Sequence, residues 1–309
     1  MKITIIGASG NVGSCAAFNI AVHRLADELV LIDTPRQDMV TLHALDINTA
    51  VTGQDMLVRT GVYEDMVGSD IVIMAAGSAK TFLSRMAVLP ENLPLIRDIA
   101  GKVKQNCSGA LVIMATNPVD PLNYAVHLAS GLDRHQLIGY SYNDSIRFRM
   151  RLAQALGVKS SRVEGTVIGE HGNSQVLLFS SVRVDGKPVI IKEDTKRIIR
   201  QQVPDGQKVL GDLREKTGRT AAWTTAVGLA AVCRAIAQDT GEMIPCSVTL
   251  DGEYDCKALS MSVPAVLGKG GVQRILEYKL VPDEQEALSH SIEDLKPAMK
   301  YVEEFLHLC

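Results

Sequence analysis

Aromatic residues are scarce, 4% of the 309 residues with a single tryptophan, so flat platforms on which bases stack are few. An excess of one charge is also missing. Lys+Arg total 32 against Asp+Glu 35, a net charge of −3. Without a basic surplus to neutralise a phosphate backbone, nucleic acid is excluded as the main partner. No apolar run approaches the ~18–20 residues that a membrane helix needs, which excludes a membrane-spanning role of that kind. The opening MKITIIGASG lacks the charged, apolar and small-residue layout of a secretory leader and reads as a buried strand entering a glycine turn. Six cysteines (Cys15, Cys107, Cys233, Cys246, Cys256, Cys309) form no CxxC pair, and none has a histidine at metal-like spacing. They read as reduced, mostly buried thiols of a cytoplasmic protein, with no metal expected. Repeats and low-complexity tracts are absent too.

What is present is the composition of a soluble globular chain, 46% hydrophobic and 22% charged, long enough for two domains. Continuous apolar runs stand at Ile3–Ile6, Glu28–Asp33, Asp70–Ala75, Ala110–Ala115 and Leu137–Gly139. Strands covered on both faces lose polar alternation in this way. Helical patterns lie between them at about Val12–Ala26, Asp38–Val51, Leu93–Gln105 and Pro121–Ser130. This alternation predicts an α/β fold, a doubly wound parallel sheet of right-handed βαβ units over residues 1–143. Residues 144–309 read as a mixed α+β domain. A helix from about Asp144 to Leu156 is followed by strands at Val163–Ile168, Val176–Val184 and Pro188–Ile191, with a hairpin turn at Asp185-Gly186. Helices are expected at about Ile191–Lys216, Ala221–Ala237 and Asp283–Leu308, and strands at Met243–Leu250 and Ala258–Val266.

The turn after the first strand reads Gly7-Ala-Ser-Gly10-Asn11-Val12-Gly13 and opens the first helix. Glycines let backbone approach a pyrophosphate, and a helix N-terminus supplies free N–H groups and a positive dipole end. The spacing GxxGxxG occurs in ligand-free turns as well. Asp33 sharpens it, standing 20 residues after Gly13 at the end of the second strand. A carboxylate there accepts hydrogen bonds from ribose hydroxyls and repels a 2′-phosphate, which points to NAD rather than NADP. Arg36 nearby softens that preference.

His171 sits between two glycines in Ile168-Gly-Glu-His171-Gly-Asn-Ser174, where a ligand can come close. Histidine exchanges protons near neutral pH. Asp144 and Arg147, at i and i+3 of a helix start, project from one face. Asp144 is positioned to orient the imidazole and Arg147 to hold a carboxylate with two parallel hydrogen bonds. A capping aspartate beside a surface arginine is the alternative.

Taken together, GASGNVG, LVLID with Asp33, DIVIMAAG (Asp70–Gly77), Ser84-Arg85, ATNPVD (Ala115–Asp120), DSIR (Asp144–Arg147), IGEHGNS (Ile168–Ser174), LDGEYD (Leu250–Asp255) and VPAVLGKGG (Val263–Gly271) resemble the lactate/malate dehydrogenase family over nearly the whole chain. The resemblance implies a Rossmann domain followed by a catalytic domain, and hydride transfer between NAD and a small 2-hydroxy or 2-oxo acid. It implies His171 as general acid/base, Asp144 as its orienting partner and Arg147 as the substrate-carboxylate site. It further implies that Arg85 polarises the reacting carbonyl and that Asn117 bonds near the same oxygen. Gly77 and Asn117 join the turn residues and Asp33 around the cofactor, and relatives assemble as homodimers or homotetramers.

Three stretches depart from the family pattern. Around Gly77-Ser-Ala-Lys80-Thr-Phe82-Leu-Ser84-Arg85 the loop is one residue short, which brings Lys80 to the place where malate enzymes carry a second carboxylate-reading arginine. Lysine keeps the positive charge there but as a point rather than a fork. Tyr140-Ser-Tyr-Asn143 adds a residue before Asp144, and Gly218-Arg-Thr220-Ala221-Ala222 replaces a glycine-rich pocket segment. Malate/oxaloacetate is the favoured substrate pair. Lactate or a bulkier hydroxy acid, with Phe82 lining the pocket, is the alternative, and a non-catalytic NAD-binding protein the remote one.

Overall fold

The computed structural model describes residues 1–78, 86–218 and 220–307. In the first half, strands β1 (Lys2–Ile6), β2 (Glu28–Ile32), β3 (Leu57–Thr60), β4 (Ile71–Met74), β5 (Leu111–Met114) and β6 (Leu137–Gly139) alternate with helices. The helices are α1 (Asn11–Val22), α2 (Gln37–Ala50), α3 (Leu89–Cys107) and α4 (Val119–Ser130). All six strands pair in parallel, in the order β6-β5-β4-β1-β2-β3. β4 and β5 are buried at every position because helices cover both faces. β3 was not predicted: Leu57-Val-Arg-Thr is short, and only Val58 on it is fully buried, so it carries no apolar run.

The second half begins with α5 (Asn143–Leu156). Short strands β7 (Val163–Glu164), β8 (Val167–Ile168), β9 (Val176–Leu177), β10 (Arg183–Val184) and β11 (Lys187–Pro188) follow. The expected strand Val176–Val184 is broken by a 3₁₀ turn at Phe179–Ser181, and Phe179 turns inward to meet Phe148 edge-on at 5.1 Å. Asp185 and Gly186 do close the β10–β11 hairpin, both with positive φ. Then come α6 (Glu193–Thr217), α7 (Trp223–Ala237), β12 (Glu242–Asp251), β13 (Lys257–Gly268), β14 (Gly271–Ile275) and α8 (Pro282–His307).

The long antiparallel strands do not build a sheet of their own. They continue the parallel one, giving nine strands in the order β14-β13-β12-β6-β5-β4-β1-β2-β3. β12 joins β6 through the Ser247–Gly139 pair, where a side chain at residue 139 would lie 2.5 Å from the Ser247 Cβ. Sequence patterning marks each strand but not its neighbour across a gap of about a hundred residues. Among the described residues no helix is long and apolar enough to cross a membrane.

A bidentate ion pair supports this junction. Arg134, just before β6, donates to both Glu253 oxygens at 3.0 and 2.8 Å in the β12–β13 turn and also to the Thr249 carbonyl. The Arg134 guanidinium holds the Glu253 carboxyl down at about 2. A carboxyl depressed on folding contributes stability that is complete above its unfolded value and is lost as pH falls through the folded one. Glu253→Gln is therefore expected to lower unfolding free energy by about 1–3 kcal/mol at pH 7. The gap to the parent should close between pH ~4.5 and ~2, read by denaturant melts across that range. A gap independent of pH would refute the assignment.

Candidate active site

The strand order reverses between β1 and β4, so a crevice opens at their carboxyl ends. The glycine turn fills one side of it. Gly7 has φ +85°, and a Cβ there would lie 2.4 Å from the Ala76 nitrogen. A Cβ on Gly13 would lie 2.4 Å from the Gly7 carbonyl oxygen, so this glycine lets α1 pack onto β1. Gly10 differs: its Cβ would meet only the Gly7 oxygen, at 3.4 Å, and it caps α1 without a side-chain hydrogen bond. The first-turn amides of α1, Asn11, Val12 and Gly13, thus follow an open glycine at the positive end of the helix. Asp33, at the end of β2, reaches back to accept hydrogen bonds from the Ser9 amide and hydroxyl in the same turn. Three glycines in distinct roles with an adjacent carboxylate fit the diphosphate and ribose of a dinucleotide.

The other wall comes from the loops after β4 and β5. Asn92 on α3 accepts from the Ser78 amide at 2.7 Å and donates to the Asn117 carbonyl at 2.7 Å. Thr116 donates to the Ala76 carbonyl at 2.7 Å. Gly77 is tight for the same reason, since a Cβ there would lie 2.7 Å from the Thr116 methyl. Asn117, joined to Pro118 by a cis peptide, keeps its side-chain oxygen buried and unpartnered among the described residues. Asn92 was missed in the sequence because one asparagine inside an amphipathic helix carries no motif.

Across the crevice, His171 and Asp144 are both buried. β8 and β9 form a short hairpin, and His171 stands in its connection. Asp144 lies in the first turn of α5. The His171 Nδ1 is 2.6 Å from the Asp144 Oδ2, while Arg147 Nη1 is 3.4 Å from the other oxygen. That contact is long, so the half-buried guanidinium keeps strong donors for another acceptor. The backbone of the connection is pinned as well. Gly169 exchanges backbone hydrogen bonds with Ser262 on β13, Glu170 N donates to Ser291 Oγ on α8, and His171 N donates to Asp120 Oδ2 on α4. Burial pushes the Asp120 carboxyl up to about 7, and the Glu170 and Asp144 charges add to that.

The added residue before Asp144 does not displace it. Tyr140 donates to Asn143 Oδ1 at 2.8 Å, and Asn143 donates to Thr225 Oγ1 on α7 at 2.8 Å, so the stretch braces the start of α5. Asn11 donates to the Thr220 carbonyl at 2.8 Å, tying the glycine turn to the segment before α7. Arg85, Lys80, Phe82 and Ser84 lie outside the described residues. His171, Asp144, Arg147, Gly7, Gly10, Asn11, Val12, Gly13, Asp33, Gly77 and Asn117 all sit on elements that border the crevice.

Comparison with known proteins accords with this geometry. Residues 1–139 match the NAD binding domain of lactate/malate dehydrogenases, and residues 143–306 match their alpha/beta C-terminal domain. The chain is 37% identical to a malate dehydrogenase of Natronomonas pharaonis, over 95% of this chain and 97% of that one. It is 32% identical to L-lactate dehydrogenase 1 of Staphylococcus aureus, over 98% and 97%. The lactate dehydrogenase of Cryptosporidium parvum, solved with lactic acid and nicotinamide adenine dinucleotide, superposes with a TM-score of 0.92 at 32% identity, covering 98% of each chain. A glycine turn at the switch point, an imidazole–carboxylate pair opposite it and matches to both family domains all lead to one conclusion: this chain belongs to the lactate/malate dehydrogenase family.

Proposed function

We propose that the chain interconverts malate and oxaloacetate, using NAD, at the crevice between the glycine turn and His171. The observation that carries this reading is the buried 2.6 Å contact between His171 and Asp144, with Arg147 on the same carboxylate. Malate is favoured over lactate because Lys80 keeps a positive charge in the sequence stretch before Arg85, and because malate dehydrogenase relatives are 35–37% identical against 32% for lactate dehydrogenases.

When bound, NAD supplies the hydride acceptor or donor. Asp144 accepts the Nδ1 hydrogen of His171, which makes Nε2 the nitrogen that exchanges a proton with the substrate hydroxyl. In the oxidising direction His171 takes that proton, and Asp144 stabilises the resulting imidazolium. In reduction His171 returns the proton to the carbonyl oxygen. Arg147 holds the substrate carboxylate, Arg85 polarises the carbonyl, and Asn117 bonds near the same oxygen. On this reading residues 1–143 hold the cofactor and residues 144–309 carry the acid/base pair. A cytoplasmic location fits thiols kept inert by burial, with Cys107 pushed up to about 11 and Cys233 to about 12.

His171→Asn is expected to cut turnover by at least ~10²-fold with NADH affinity largely kept, measured by NADH absorbance and by fluorescence titration. Parental activity in that variant would remove the assignment. For the substrate, oxaloacetate should exceed pyruvate in kcat/KM, and Lys80→Ala should erase about 10- to 150-fold of that preference while sparing pyruvate. If 2-oxoisocaproate wins instead, and Phe82→Ala rather than Lys80→Ala changes the ranking, the substrate is a bulkier hydroxy acid.

The same reading includes a homodimer or homotetramer. α2 exposes Leu42 at 60% and Leu45 at 63%, with Met39 beside them, and Phe18 and Val22 of neighbouring α1 are also exposed. An apolar face of this kind on a soluble chain suits a second copy. Leu42→Lys with Leu45→Lys should reduce the mass seen by sedimentation. An unchanged mass would move the interface elsewhere.

A further inference from the structure

His171 is held at two points that differ in kind. Its ring is held by Asp144 through Nδ1 at 2.6 Å, and its backbone N–H donates to Asp120 Oδ2 at 2.7 Å. The residues around it supply little stiffness of their own: Gly169 has φ +83° and Gly172 follows directly. Three successive amides are instead pinned from three different elements, Gly169 by β13, Glu170 by Ser291 of α8 and His171 by Asp120 of α4. Ser291 is fully buried and Asp120 is 1% exposed.

An ionisable carboxyl at 1% exposure is costly, and packing alone would be served better by an apolar side chain. Its position accounts for its presence. Asp120 stands in the first turn of α4, three residues after Asn117, in the segment that carries the crevice wall. A single bond therefore connects the Asn117 wall to the backbone of the residue that moves the proton.

We propose that Asp120 is a positioning residue, whose hydrogen bond to the His171 amide sets where the imidazole Nε2 meets the substrate hydroxyl. With backbone nitrogen and Nδ1 both held, His171 is anchored at its backbone and at its ring. Without the Asp120 bond, Asp144 still orients the ring, but the backbone at His171, beyond the pinned Gly169 and Glu170, can shift beneath it. A displacement of about 1 Å at a reacting group costs up to ~10²-fold in rate. The hydrogen bond rather than the charge does the positioning, in keeping with a carboxyl raised to about 7 by burial. An amide oxygen in the same place should serve.

This proposal rests on His171 being the acid/base, and the experiment separates the two. Asp120→Ala, Asp120→Asn and His171→Asn are assayed in the full chain for kcat and KM with oxaloacetate and NADH. NADH binding and thermal unfolding are measured in parallel. Asp120→Ala is expected to lower kcat about 10- to 100-fold, with KM and NADH affinity within about threefold, because Arg147 and the glycine turn are untouched. Asp120→Asn should recover kcat to within about threefold of the parent. If Asp120→Ala does not fold, Asp120→Ser, polar but too short to reach the amide, carries the same expectation. Loss of thermal stability with parental kcat in the Ala or Ser variant would reduce Asp120 to a structural residue. An Asn variant as slow as Ala would also overturn the proposal. An active His171→Asn would instead refute the acid/base reading itself.

Discussion

The buried hydrogen bond between Asp144 and His171 is the contact on which the site depends. It forms between α5, which starts four residues after β6, and a connection pinned to β13, so it spans the join between the parallel and antiparallel parts of one sheet. Burying a carboxylate is unfavourable unless a donor meets it with good geometry. Here the donor is an imidazole, to which the proposed mechanism gives proton exchange at its second nitrogen. The fold meets that demand by making the sheet continuous through Ser247 and Gly139, so both partners hang from one rigid frame. Arg134 and Glu253 clamp the same join at its other end.

Local chemistry was legible in the sequence wherever it is written in short motifs. The glycine turn, Asp33, the Asp144–Arg147 spacing and the glycine-flanked His171 each named a residue type whose physical use is narrow. The six parallel strands were visible except β3, whose exposed Leu57 and polar neighbours hide it. What stayed hidden was long-range. Nothing in β12 says that it pairs with β6, because a strand's pattern records which faces are covered and not which edge is joined. Asn92, and the partner of Asp120 at the end of the ATNPVD motif, were hidden for the same reason. Asn92 and Asp120 are each a single polar side chain in a helix, and their meaning comes from partners that lie 14–51 residues away in sequence.

The stretch before Asp144 illustrates how a departure from pattern can be absorbed. Tyr140 and Asn143 replace an apolar approach with polar side chains, and buried polar atoms must be paired. Asn143 finds Tyr140 and Thr225, while Tyr140 occupies the space left by Gly228, where a Cβ would lie 1.8 Å from its hydroxyl. The polar side chains are therefore accommodated by Thr225 and Gly228, both on α7 and more than eighty residues further along the chain. Asp144 still reaches His171 at 2.6 Å.

The same reasoning separates reaction from substrate. Asp144 and Arg147 sit on α5, and His171 sits in the connection between β8 and β9. Two of the stretches where the sequence departs from its family are residues 77–85 and 218–222. Connections accept substitution without disturbing a core. Asn11 reaches from the glycine turn to the Thr220 carbonyl, so even the second of these segments is referenced to the cofactor side by backbone rather than by its own side chains. Its distance to the cofactor turn is thus set without its side chains.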